Sequence, residues 1–195
     1  MTGNESTNLV VRVAGWGGES GILVTMIGAV PVLLLGSRLP EDIAVAVLLA
    51  AYGAMFGHYL ARRLPLVGVA GPEHRNLLRF APPAATLAGF IVMRVAMGAA
   101  DTESLTAVHG VLFGGVTGLV LGVALLRLPL RSLQGAPLPA NILVPAALAL
   151  AGAAMGIVAG FIMSVALGWL FAMPVWMLGV GGAVGFFLAP PRAAN

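Results

Sequence analysis

Long apolar runs separated by short polar breaks dominate the chain, and none of them alternates at period two. Such runs predict helices that cross a bilayer, because lipid offers no water to backbone groups and only helices or closed barrels can span it. Six spans are expected, at about residues 21–35, 43–60, 81–98, 107–126, 142–167 and 171–189. The first is short and holds Pro31, which predicts a kink or a tilt. The fifth and sixth are parted by a tight, uncharged link near Gly168 and Trp169. The segment before residue 21 is polar and Gly-rich, without the basic stretch and small-residue cleavage site of a signal peptide. It reads as a terminal segment ahead of the first span.

The runs resemble one another. Small residues recur at i, i+4 and i+8 in the second, fourth and sixth spans, beginning at Gly53, Gly114 and Gly181, with Leu at i+7 in each. The second and fourth end in the same phrase, Arg63-Leu64-Pro65-Leu66 and Arg127-Leu128-Pro129-Leu130. Ala88-Gly89-Phe90-Ile91 in the third span matches Ala159-Gly160-Phe161-Ile162 in the fifth. The expectation is an all-α integral membrane protein, residues 1–195 forming one transmembrane domain of three tandem hairpins at about 21–66, 81–130 and 142–192. A parallel two-helix repeat suits a ring with pseudo-threefold symmetry better than the inverted repeats of many transporters. Small residues at every fourth position let helix backbones approach closely in lipid. Gly53, Gly57, Gly114, Gly118, Gly122, Gly152, Gly156, Gly160, Gly181 and Gly185 are the expected packing positions, and at least one stripe is a candidate to face outward.

Composition supports the bilayer. Hydrophobic residues make up 59% of the chain, mean hydropathy is +1.02, and only 9% of residues are charged, too few to cover a water-facing surface. The absence of Cys excludes disulfides, thiolate metal sites and Cys nucleophiles. All ten basic residues are Arg, so a retinal-type Schiff base and a P-loop lysine are excluded too. The arginines also orient the chain. Arg12, Arg62, Arg63, Arg75, Arg79, Arg127, Arg131 and Arg192 fall on one side and Arg38 alone on the other. Both termini are therefore expected in the cytoplasm, as in a bacterial inner-membrane protein.

Candidate chemistry is sparse. On these spans no Asp or Glu lies within the membrane; all seven sit in loops or termini. Arg94, inside the third span, is the clearest anomaly, and Asp101, Glu103 and His109 lie at the same membrane level. These are candidates to meet a lipid head group or a partner's acid. His58 and His109 are weak candidates for haem or chlorophyll. They sit near opposite ends of their helices, about 20 Å apart in depth at 1.5 Å per residue, so either would need a ligand from another subunit. No cofactor and no metal is expected. Pro72 to Phe80 predicts a short interfacial helix with Arg75 and Arg79 on one face, suited to anionic lipid or a partner. Gly18-Glu19-Ser20-Gly21 superficially resembles the G-x-S-G of rhomboid proteases, but Ser20 and His109 fall at opposite membrane faces, and a nucleophile must bond its base.

The function expected first is a non-catalytic accessory or scaffold subunit of a larger membrane complex of respiratory or photosynthetic type. Its partners would be the lipid bilayer and other membrane subunits or a second copy, with no nucleic acid. The alternative is a small-solute transporter or channel along the pseudo-symmetry axis, lined by Thr25, Tyr52, Tyr59, Thr117 and Ser164. An intramembrane enzyme needs converging groups, available only around Arg94, Asp101, Glu103 and His109.

Overall fold

The computed structural model describes residues 3–35, 41–67, 71–97, 107–128, 139–165 and 168–188. They form an all-α bundle: α1 (Gly3–Leu35), α2 (Glu41–Arg63), α3 (Arg75–Met97), α4 (Ala107–Leu125), α5 (Pro139–Met163) and α6 (Trp169–Leu188). Among the described residues there is no strand, and α2 to α6 are long and apolar enough to cross a membrane. The chain is a multi-pass α-helical membrane protein. Each helix packs on its neighbours in sequence, and α6 returns to α1, closing a ring. The most extensive contacts are α4 with α5, α1 with α6 and α2 with α3; among the six neighbouring pairs, α1 with α2 is the slightest.

In the three tight pairs helix backbones come close at glycine, an approach that matters in lipid because apolar burial alone does not draw helices together there. A Cβ on Gly53 would meet Pro83 of α3, and one on Gly57 the carbonyl oxygen of Arg79. On α4, Gly110, Gly114, Gly118 and Gly122 lie against Gly156, Gly152, Leu148 and Pro145 of α5. On α6, Gly181 and Gly185 lie against Val13 and Val10 of α1. These contacts are inside the ring, so the stripes they belong to do not face outward. Prolines contribute to the same seams. Pro83, lacking an N–H, cannot bond the Arg79 carbonyl four residues back, and that oxygen is the one against which Gly57 sits.

Three features depart from the sequence expectation. The first helix begins at Gly3, not near residue 21, and continues through position 31 to Leu35. Leu9, Val13, Trp16, Ser20 and Val24, at three- and four-residue spacing, form its buried stripe. Gly17, which read as part of the segment ahead of the first span, and Gly21, which read as that span's start, lie against Met177 and Pro174 of α6. Second, acidic residues do occur within helices: Glu19 lies in the middle of α1, and Glu41 and Asp42 open α2. Third, Pro72–His74 is a single 3-10 turn running straight into α3, so no separate interfacial helix precedes that span.

The interior is layered. Toward the ends of α2 and α4, Leu60, Leu78, Leu121, Leu125 and Val184 pack almost completely buried. The space among these described residues is small, about 10 Å³, so they pack closely.

Candidate functional site: an axial chamber and an arginine arc

The opposite end of the ring is hollow. Where α2, α4 and α6 begin and α3 and α5 finish, five helices surround a chamber of about 210 Å³. Val45, Leu48, Leu49 and Tyr52 come from α2, Phe90 and Met93 from α3, and His109, Gly110 and Phe113 from α4. Gly156, Ala159, Gly160 and Met163 of α5 and Ala172, Met173 and Trp176 of α6 complete the wall. Small residues on α5 and α6 leave the space, and Trp176 frames it. Its indole N–H donates to the Gly152 carbonyl at 3.3 Å, and its ring lies 5.1 Å from that of Phe113, tilted by 44°. The Tyr52 and Thr25 hydroxyls share a hydrogen bond of 2.6 Å, which ties α2 to α1 beside the chamber.

The residues proposed to line a polar pathway are dispersed. Tyr52 is on the chamber wall. Thr117 donates to the Phe113 carbonyl at 2.7 Å and Ser164 to the Phe161 carbonyl at 2.6 Å, each on or beside its own helix. Tyr59 sits under an arginine at the other end of α2. Among the described residues these hydroxyls do not form one continuous lining. Ser20 is buried and donates to the Gly17 carbonyl at 2.7 Å, so its hydroxyl is committed to its own helix.

The second feature is an arc of arginines at the leucine-packed end. Arg12 on α1, Arg62 on α2, Arg75 and Arg79 on α3 and Arg127 after α4 are exposed. Arg75 and Arg79 are one turn apart and share a face. Arg63, half-buried, binds α1: its guanidinium is 3.1 Å from the Glu19 carboxylate, 4.4 Å from the centre of the Tyr59 ring and 5.5 Å from that of Trp16. Helical side chains lean toward the N-terminus, which brings the end of α2 back onto Glu19. The two side chains are 36% and 54% exposed. A double-mutant cycle with Glu19→Gln and Arg63→Gln in detergent micelles is expected to give a coupling of at most about 1 kcal/mol, reduced by salt. A coupling several times larger would show that lipid rather than water covers the pair.

The remaining candidates separate. His109 is buried on the chamber wall, whereas His58 sits at the other end of the ring beside Tyr59, ring centres 6.5 Å apart. Arg94 is half-buried, directly follows the chamber residue Met93, and takes part in a side-chain interaction. Asp101 and Glu103 lie outside the described residues, as do Arg38, Arg131 and Arg192. Among the described residues no three His, Asp or Glu side chains gather as a metal site requires. Sequence reasoning missed Trp16, Glu19 and Trp176. The spacing of Leu9, Val13, Trp16 and Ser20 carried a helical signal for the first two; Trp176 carried none beyond lying in an apolar run. No family model matches the chain, and no curated protein and no solved structure matches it either.

Proposed function

We propose that the chain is a non-catalytic membrane subunit that works by contact within a larger membrane assembly of respiratory or photosynthetic type. The arginine arc carries this reading. Arg12, Arg62, Arg75, Arg79 and Arg127 are exposed at one end of the ring, and among the described residues only Arg94 lies at the other. Such asymmetry favours a cytoplasmic arc and cytoplasmic termini in a bacterial inner membrane. Arginine presents a planar fork to carboxylates and phosphates, which suits an acidic partner or anionic lipid. Three tandem hairpins are part of the proposal. The equivalent glycines Gly53, Gly114 and Gly181 each meet the next odd-numbered helix, at Pro83, Gly152 and Val13, with α1 taking that place for α6. In this contact register Pro83 answers to Gly152, two residues off the sequence match of Ala88 with Ala159.

Affinity purification from native membranes in mild detergent is expected to recover other membrane subunits in fixed ratio. The variant Arg75→Gln/Arg79→Gln is expected to lose most of them while its own melting temperature stays within about 2 °C, as for exposed substitutions. Recovery of a lone monomer from native membranes would overturn the reading. The axial chamber favours a second reading, a small-solute transporter or channel whose solute is apolar. Uptake of an apolar dye into vesicles containing only this protein would favour it over the first.

A further inference from the structure

We infer that the axial chamber is a binding site for one acyl chain of a membrane lipid, a site independent of the arginine arc and of any partner docked there. The chamber, about 210 Å³, exceeds the 150 Å³ at which an apolar protein cavity stays dry and accepts benzene. Its wall is a poor host for water. A buried water needs two to four polar partners, and the wall's polar side chains, Tyr52, the Trp176 N–H and His109, are each already engaged in the fold. The chamber suits a flexible chain. Met93, Met163 and Met173 contribute unbranched, polarisable side chains that adapt to irregular apolar shapes, and Ala159 with Gly156 leaves a slot beside them. Toward the other end of the ring Leu60, Leu78, Leu125 and Val184 are buried and close-packed, so the open space among the described residues lies at the chamber end. In a bilayer the apolar molecule in greatest supply is the lipid chain, and no other occupant is available at comparable concentration.

Fluorescence of a variant that keeps only Trp176 tests this. Trp16→Phe and Trp169→Phe remove the other two tryptophans, and Trp176, 1% exposed, is shielded from lipid around the bundle. The protein is reconstituted into vesicles of phosphatidylcholine with dibrominated acyl chains, or held in micelles with dibrominated stearate. The bromines quench an indole they touch. Strong quenching is expected, and filling the chamber by Ala159→Phe, or independently from α2 by Val45→Phe, is expected to abolish most of it. Each filled variant must elute as a single species and unfold cooperatively for its reading to count; two from different helices guard against one failing to fold. Quenching in vesicles that the filled variants lose supports the site with a membrane lipid as its source. The same pattern confined to stearate keeps an acyl chain and overturns the lipid as its source. Equal quenching in native-chamber and filled proteins in both arms overturns the site. Partner recovery in the affinity experiment is read separately, so failure of one proposal does not imply failure of the other.

Discussion

Gly114→Ala is expected to destabilise the bundle by about 2–3 kcal/mol, while Gly115→Ala, one residue on, leaves it unchanged or slightly more stable. The two glycines share a helix and a sequence context and differ only in what they face. A Cβ on Gly114 would strike the carbonyl oxygen of Gly152, with the carbonyl carbon at 2.7 Å and the Trp176 indole nitrogen at 3.1 Å. Backbone cannot rotate away as a side chain can, so α4 and α5 would have to separate along the ring's most extensive seam. A Cβ on Gly115 would stand 3.7 Å from the Ala153 Cβ and 3.8 Å from the Ala149 oxygen, ordinary contact distances. There the gain in helix propensity, about 1 kcal/mol, is not opposed. At about 2–4 °C per kcal/mol for a chain of this size, thermal unfolding in mild detergent would place the variants on opposite sides of the parent or nearly so. Gly118→Ala and Gly15→Ala repeat the contrast: the first meets the Leu148 carbonyl, the second nothing within 4 Å. Equal losses at Gly114 and Gly115 would mean that close backbone approach does not hold α4 to α5.

The same glycines show what the sequence disclosed and what it hid. In α2 and α4 to α6 they are embedded in unbroken apolar runs, so helix, span and spacing could all be read together. In α1 an equal use of glycine was disguised. Gly15, Gly17 and Gly18 stand beside Arg12, Glu19 and Ser20, and polarity with glycine resembles a linker whenever the helix that covers it is unknown. Once α6 supplies Met177 and Pro174, the gaps left by Gly17 and Gly21 become contacts, and the helix starts at Gly3. Misplacing that start also hid Glu19 as an intrahelical acid, and with it the pair with Arg63. The chamber was illegible for a different reason. A cavity is what side chains on five helices fail to fill, and no single periodic pattern records it. His109 attracted notice as a histidine, yet its neighbours Phe113 and Trp176 were indistinguishable from ordinary apolar residues until the ring closed around them.

Trp176→Ala should be the most damaging single side-chain truncation, with a loss of about 3–5 kcal/mol. The indole is 1% exposed, packs on Phe113 and donates to Gly152, the residue against which Gly114 closes the α4–α5 seam. Trp176→Phe separates the contributions. It keeps a ring opposite Phe113 but removes the N–H and part of the indole's volume, leaving the Gly152 carbonyl without that donor, for about 1–2 kcal/mol. Thermal unfolding is expected to rank parent, Phe and Ala in that order, with the gap from Phe to Ala the larger. Equal losses would place the weight on the hydrogen bond rather than the ring. Truncation to alanine also enlarges the chamber, and a ligand that fills the space in the folded state alone stabilises that state by mass action. The alanine variant should therefore lose less stability in micelles supplied with phospholipid than in lipid-free detergent, while Ala159→Phe should show little such dependence. A deficit of Trp176→Ala that lipid leaves untouched would mean that no chain reaches the space the indole vacates.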